Sequence, residues 1–313
     1  MKSHACALGC EPQSDLLGAV VVPTNEHEGN RIIGNLALWG QRTAAPFVNG
    51  RPSELPALVF SFDRRPESDL WDKIRQSFVD NNLRRYFADL HFLDLELKGE
   101  RRLFQRWHRV SESVSNDQFL YSIRAVRNFG KYVFLMRSDC GVVRPNWLGR
   151  LLHILSYPES FWVMGSAYRG PAVLDPSFRR HIDGNAIYAS GDPSFQNFLT
   201  EFWEPRMRRG LARRDRRLAW DCILERAFTA QDDLAVLQLW RRLAHKFRYT
   251  DYIQNYPPMK SPHYETAADI FRKIKDGSPE TYIVHNSEIA DALITNIKPV
   301  FDNSINRVSA GEC

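Results

Sequence analysis

The sequence predicts an α/β fold, a mostly parallel, doubly wound sheet flanked by helices within one large domain. Three observations predict it. Six short apolar runs are rich in β-branched and aromatic residues and too short for buried helices. Their apolar residues are continuous rather than alternating, the pattern of strands covered on both faces. Segments with helical period separate them, so that β and α alternate over the first 165 residues.

The first run, LLGAVVV (16–22), ends at the turn Pro23-Thr24-Asn25. The second, ALVFSF (57–62), ends on Asp63 and is followed by DLWDKIRQSF, whose Leu70, Ile74 and Phe78 form one helical stripe. FADLHFLDL (87–95) is the third. The stretch 100–116 reads as a loop or insertion, after which Phe119, Ile123 and Val126 make a second helical stripe that Gly130 ends. KYVFLM (131–136) is the fourth strand and leads, past Asp139, into the helix RPNWLGRLLHIL with Trp147, Leu148, Leu151 and Leu155 on its apolar side. SFWVMG (160–165) and NAIYA (185–189) complete the six. Asp192-Pro193 is an N-cap and first-turn pair opening PSFQNFLTEFW. Residues 1–15 and 301–313 read as loosely held tails around a domain of 16–300, with a first half to residue 165 and a second half from 166.

A chain of 313 residues with 43% hydrophobic residues can bury a sizeable core. No apolar run approaches the roughly 20 residues of a membrane span, and MKSHACALGCEPQSD lacks the pattern of a signal peptide. The expectation is a soluble, cytoplasmic protein. Its five cysteines lack the spacing of a zinc motif or disulfide scaffold; Cys6 and Cys10 form only a loose pair. The net charge of +5 is concentrated in RMRRGLARRDRR, Arg206 to Arg217, which reads as a solvated helix or loop, or as a peripheral contact with an anionic acceptor or membrane surface. Nucleic acid is not the expected partner, because none of its recognition motifs occurs.

In an open parallel sheet ligands gather beyond the carboxyl ends of the strands. Those ends carry Pro23, Thr24, Asp63, Asp139, Gly165 and Ser166. A carboxylate at such a place is either a helix N-cap or a functional group. Asp139 sits on a strand-to-helix loop where a divalent cation and a phosphate can meet. Downstream come HIDGNAIYAS, LAWDCILERAF and ETYIVHN.

These four stretches, in this order, resemble GT-A fold (Rossmann-like) glycosyltransferases over residues 16 to 290, closest in feel to polysaccharide-building enzymes of bacteria and large viruses. The Asp139 stretch looks like the family's metal-binding Asp-x-Asp region; HIDGNAIYAS resembles the acceptor-pocket loop and strand; Asp221 matches the acid that faces the acceptor; and His285 matches the C-terminal metal-binding histidine. The resemblance implies transfer of a sugar from a nucleotide diphosphate sugar, such as a UDP-sugar, to a hydroxyl of a glycan or glycolipid, with inversion. It implies Mn²⁺ or Mg²⁺ held by Asp139 and His285, and donor contacts from Pro23, Thr24, Asp63, Arg137, Ser138 and Asp139. Asp221 is the expected base and Asp183 the runner-up, with Gly184, Asn185, Tyr188 and Trp220 lining the acceptor side and Trp203 near them. The bland roles are a helix-start charge for Asp221 and a turn-stabilising acid for Asp183. One departure stands out: Arg137 occupies the position of the family's first acid, where it lowers the site's negative charge and can pair with a diphosphate. That departure keeps a second reading open, a degenerate domain that binds nucleotide sugar or glycan without turnover. A sugar-nucleotide pyrophosphorylase is disfavoured, since VVVPTNEHEGNR has no glycine-rich phosphate loop.

Overall fold

The computed structural model describes residues 16–48, 52–97, 111–169, 180–212, 219–229, 233–256 and 266–295. Both terminal tails, with Cys6 and Cys10, and residues 213–217 of the arginine-rich run lie outside them. The strands are β1 (Leu17–Thr24), β2 (Ala57–Phe62), β3 (Leu90–Asp94), β4 (Tyr132–Leu135), β5 (Cys140–Val142), β6 (Val163–Ala167), β7 (Ile182–Tyr188), β8 (Phe247–Tyr249), β9 (Ile253–Asn255) and β10 (Ile283–His285). All six predicted runs are strands.

Seven of them form one sheet in the order β3-β2-β1-β4-β7-β6-β8. β1 is its axis, parallel to β2 with Val21 opposite Val59 and parallel to β4 with Val20 opposite Phe134. Ala19, Val20, Val21, Leu58, Val59, Val133 and Phe134 are fully buried, as continuous apolar runs require. β7 runs antiparallel to both β4 and β6, whereas β8 is parallel to β6. The remaining strands make a small sheet, β5-β10-β9. Its register sets Cys140, His285 and Asn255 side by side.

The helices are α1 (Gly29–Gly40), α2 (Leu70–Asp80), α3 (Ser111–Ala125), α4 (Trp147–Leu155), α5 (Pro193–Phe198), α6 (Glu204–Ala212), α7 (Trp220–Thr229), α8 (Leu234–Leu243), α9 (Ala267–Gly277) and α10 (Ser287–Thr295). The caps follow the sequence: Asp192 accepts from the backbone N–H of Ser194, Asp233 from Ala235 and Val236, and Thr266 from Asp269. A π-helical turn, Leu199–Trp203, joins α5 to α6. It turns Trp203 inward, where Nε1 donates to the Trp220 carbonyl at 2.9 Å.

Two local expectations are corrected. α3 begins at Ser111, inside the stretch expected to be a loop, because its polar first turns carry no apolar stripe; it also stops at Ala125, ahead of Gly130. Cys140–Val142, in the stretch read as the loop from Asp139 to the next helix, is strand β5, since its backbone groups pair with the distant β10.

One core cluster runs from Leu17 to Ile283, and a smaller one gathers Ile270, Ile274, Val284 and Ile289. In the larger cluster the rings of Phe119 and Trp220 stack at 4.7 Å with 10° between planes. That indole also lies against Gly184 of β7, where an added Cβ would lie 2.3 Å from Trp220 Cζ2. Gly184→Ala is therefore expected to lower stability by about 1–3 kcal/mol, the usual cost of overpacking. A urea midpoint equal to wild type would show that α7 can slide away from β7.

Candidate active site

The chain passes from β1 outward through β2 to β3, then returns to the other side of β1 as β4, so the strand order reverses between β1 and β4. The crevice beyond the carboxyl ends of two such strands is where open α/β sheets bind ligands. Pro23 and Thr24 close β1, and Arg137, Ser138 and Asp139 follow β4. The Arg137–Asp139 loop is held by its backbone: Asn35 Nδ2 of α1 donates to the Ser138 carbonyl at 2.8 Å, and the Asp139 carbonyl accepts from Asn286 at 3.2 Å. Arg31 of α1 grips Asp291 of α10 through two bonds of 2.7 and 2.9 Å, fixing the helix that follows His285.

His285 stands between two carboxylates. Its Nε2 lies 3.4 Å from Asp139 Oδ1 and its Nδ1 3.4 Å from Asp183 Oδ2, while Asn255 Oδ1 is 3.0 Å from Nδ1. Arg137 Nη2 lies 3.3 Å from the other oxygen of Asp139. Asn185 ties the two sides together: it accepts from the Arg137 backbone N–H at 2.8 Å and donates through Nδ2 to Asp183 Oδ1 at 2.8 Å. Burial alone would raise both acids, but it is outweighed by the imidazolium acting together with Arg137 at Asp139 and with the Asn185 hydrogen bonds at Asp183. Asp139 is held well below the usual carboxylate range and Asp183 is lowered to about 2. Burial would lower His285, yet Asp183 and Asp139 together push it up to about 10.

The donor set fits a divalent cation. Asp139 Oδ1 is buried and makes no hydrogen bond, the 3.4 Å approach of His285 being an ion pair of poor hydrogen-bond geometry. Asn255 Oδ1 lies 3.0 Å from Nδ1 and Asp183 pairs with the same nitrogen at 3.4 Å, which holds a hydrogen on that side, so Nε2 is the atom that would ligate once its proton is displaced. Asp139, Asp183 and His285 do not bring three donor atoms within 4.8 Å of one another. Asp139 and His285 Nε2 are the pair that would hold Mn²⁺ or Mg²⁺, with Asp183 on the other ring nitrogen.

Asp221 lies in the first turn of α7, on the far side of Gly184. Its Oδ2 accepts from the Gly184 N–H at 2.8 Å and its Oδ1 from Cys222 at 2.7 Å. Burial raises its pKa, His181 opposes the rise, and the charge of Asp183 adds to it. A cavity of about 180 Å³ opens beside it, bordered also by Leu224, Glu225 and Trp240.

Several predicted contacts take other roles. Tyr188 is 1% exposed, packs on Phe119 and Phe195, and donates its hydroxyl to the Gly184 carbonyl. Trp220 stacks on Phe119 and lies against Gly184, and Trp203 is buried too, while Tyr188 and Trp203 both border the cavity beside Asp221. Gly184 makes room for the indole, not for a ligand, and Asn185 is buried within the Arg137–Asp183 bridge. Thr24 is buried with its hydroxyl on Glu28 Oε2 at 3.1 Å. Ser138 is buried too, and its Oγ has no partner. Asp63 closes β2 and is buried; α2 starts only at Leu70, so Asp63 is not its cap. Arg206 lies over the Phe202 ring and Arg208 pairs with Glu204, so the described part of the arginine-rich run is partly committed within the fold.

Sequence reasoning missed Asn35, Asn255 and His181. Asn255 ends the three-residue strand Ile-Gln-Asn, which has only one apolar residue and so lacks the apolar-run signal that singled out Asp139.

No family model matches the chain, and no curated protein matches it. Solved structures of similar shape include mouse xyloside xylosyltransferase 1 in its apo form, with 10% identity over 85% of this chain and 96% of that one, at a TM-score of 0.47. The apo bifunctional glycosyltransferase WbbM aligns at 12% identity over 92% of this chain with a TM-score of 0.45, and this chain spans 50% of it. Glucosyl-3-phosphoglycerate synthase from Mycobacterium tuberculosis, in complex with Mn²⁺, UDP and glucosyl-3-phosphoglycerate, aligns at 13% identity over 82% and 76% of the two chains, with a TM-score of 0.37. Likenesses this distant leave the functional case to the residues themselves.

The charge arrangement predicts a pH dependence. A histidine raised to about 10 adds stability that is complete below its ordinary value near 6.5 and is lost as pH rises toward 10. Asp183, lowered to about 2, adds stability present above its ordinary value of 3.8 and lost as pH falls through about 2. In chelator-treated protein the stability gap between wild type and His285→Gln should therefore shrink from pH 6.5 to 10. A constant gap in urea titrations would rule out the imidazolium pairing.

Proposed function

We propose that this chain is a GT-A glycosyltransferase that moves a sugar from a nucleoside diphosphate sugar to a hydroxyl of a glycan or glycolipid, with inversion. The observation that carries the reading is the Asp139–His285 pair at the β1/β4 reversal, with the far nitrogen of His285 held by Asp183 and Asn255. A carboxylate and an oriented imidazole at that crevice are what a cation-bound diphosphate needs.

Breaking the anomeric C–O bond places negative charge on the departing diphosphate. Mn²⁺ or Mg²⁺ held by Asp139 and His285 would supply the compensating positive charge. Arg137, half-exposed beside Asp139, presents a planar guanidinium to the same oxygens. On the acceptor side Asp221 takes the proton of the attacking hydroxyl as the new C–O bond forms. Its burial suits it to that role, since a raised pKa strengthens a carboxylate base. Asp183 is the weaker candidate, because His285 lowers its pKa. Pro23 and Asp63 stand at the strand ends where base and ribose would lie, with Thr24 and Ser138 contributing backbone.

A second reading, a domain that binds nucleotide sugar without turnover, is favoured by the Arg137–Asp139 pairing, which occupies one oxygen of the metal-binding acid. A panel of nucleotide sugars separates the two. The wild type should hydrolyse one donor slowly with Mn²⁺, releasing nucleoside diphosphate, and Asp139→Ala should not. Binding without release, by calorimetry, would favour the second reading, and absence of binding would remove both. Once an acceptor is found, Asp221→Asn should lower kcat by about 10²–10⁴ with little change in KM. An unchanged kcat would transfer the base role elsewhere.

A further inference from the structure

His181, at the mouth of β7, and Asp221 and Cys222, in the first turn of α7, bring one nitrogen, one oxygen and one sulfur within 4.8 Å of each other. Among the described residues this is the only group of three or more histidines, cysteines and acids that converges so tightly. His181 Nε2 is 3.9 Å from Asp221 Oδ2, close to the roughly 3.5 Å edge of a tetrahedron built from zinc bonds of about 2.0–2.3 Å. Each Asp221 oxygen accepts one backbone N–H and keeps a second lone pair. Glu225 follows Asp221 by four residues and Cys222 by three, on the same side of the helix. Asp221 and Glu225 both border the 180 Å³ cavity, which leaves space beside Asp221 for a carboxylate or a water.

We propose that His181, Asp221 and Cys222 form a zinc site, separate from the Asp139–His285 pair, with Glu225 or water as the fourth ligand. The donor chemistry separates the two sites: a thiolate selects zinc, whereas the carboxylate and imidazole of Asp139 and His285 accept Mn²⁺ or Mg²⁺. On binding, a sulfur–zinc bond forms and the Cys222 thiol proton leaves to solvent. Binding does not depend on the transferase reading. Its consequence does: an Asp221 that ligates zinc cannot take the acceptor proton, so zinc would switch off transfer reversibly.

The test uses the full chain, stripped with chelator and kept in excess Mn²⁺, with Co²⁺ as the spectroscopic probe. One equivalent of Co²⁺ should give a thiolate-to-cobalt charge-transfer band that one equivalent of Zn²⁺ abolishes. Cys222→Ser should remove the band and weaken Zn²⁺ at least about tenfold in competition with a chromophoric chelator, and His181→Gln should weaken it similarly. Circular dichroism confirms that each variant is folded. The Cys6→Ser/Cys10→Ser double variant and Asp139→Asn should keep the band. A band that survives Cys222→Ser in a folded protein, a band lost in the Cys6/Cys10 variant, or less than one equivalent of zinc bound would overturn the assignment. Because no step measures sugar transfer, a missing zinc site and a wrong transferase reading fail separately.

Discussion

The imidazole of His285 links three parts of the chain that share no local order: the loop after β4, the start of β7 and the end of β9. It ion-pairs with Asp139 on one nitrogen and with Asp183 on the other, where Asn255 also lies. The small sheet exists to put it there, since the β5-β10-β9 register aligns Cys140, His285 and Asn255 in one row. Arg31 and Asp291 then fasten α10 to α1, so that the far end of the chain cannot drift from the crevice it completes. Without that row, Asp139 and Asp183 would be two buried carboxylates that lack the imidazolium pairing with both, a costly arrangement in a low-dielectric interior.

Around this contact the charges are apportioned rather than pooled. Asp139 has His285 and Arg137, Asp183 has His285 and the amide and backbone of Asn185, and Asp221 has two backbone N–H groups with His181 further off. The outcome is two lowered acids and one raised acid, linked through His285 and Gly184. Groups whose environments push their pKa values apart divide naturally into charge holders and a proton acceptor. Two carboxylates flanking Gly184 thereby acquire different chemistry from the same side chain.

An aromatic layer supports the start of α7 and Asp221 from beneath. Phe119, Trp220, Trp203 and Tyr188 pack on one another, and each polar edge finds a partner inside the fold. These rings set the height of α7 above β7, and so the position of Asp221. Gly184 is the counterpart of that packing. Its missing side chain is filled by an indole, which explains a glycine in the middle of a buried strand.

Much was legible in the sequence by itself. Continuous apolar runs mark the six central strands, Asp192 marks a helix start, and an acid at the end of KYVFLM marks the crevice, because each signal is set by residues within a few positions of one another. The tertiary structure alone decided the rest: that His285 pairs with Asp139 and Asp183, that Asn255 joins them, that Cys140–Val142 is a strand, and that Tyr188 and Trp220 are core. These contacts span 30 to more than 140 positions, and their energy comes from burial and charge compensation between distant segments. No local period records either one.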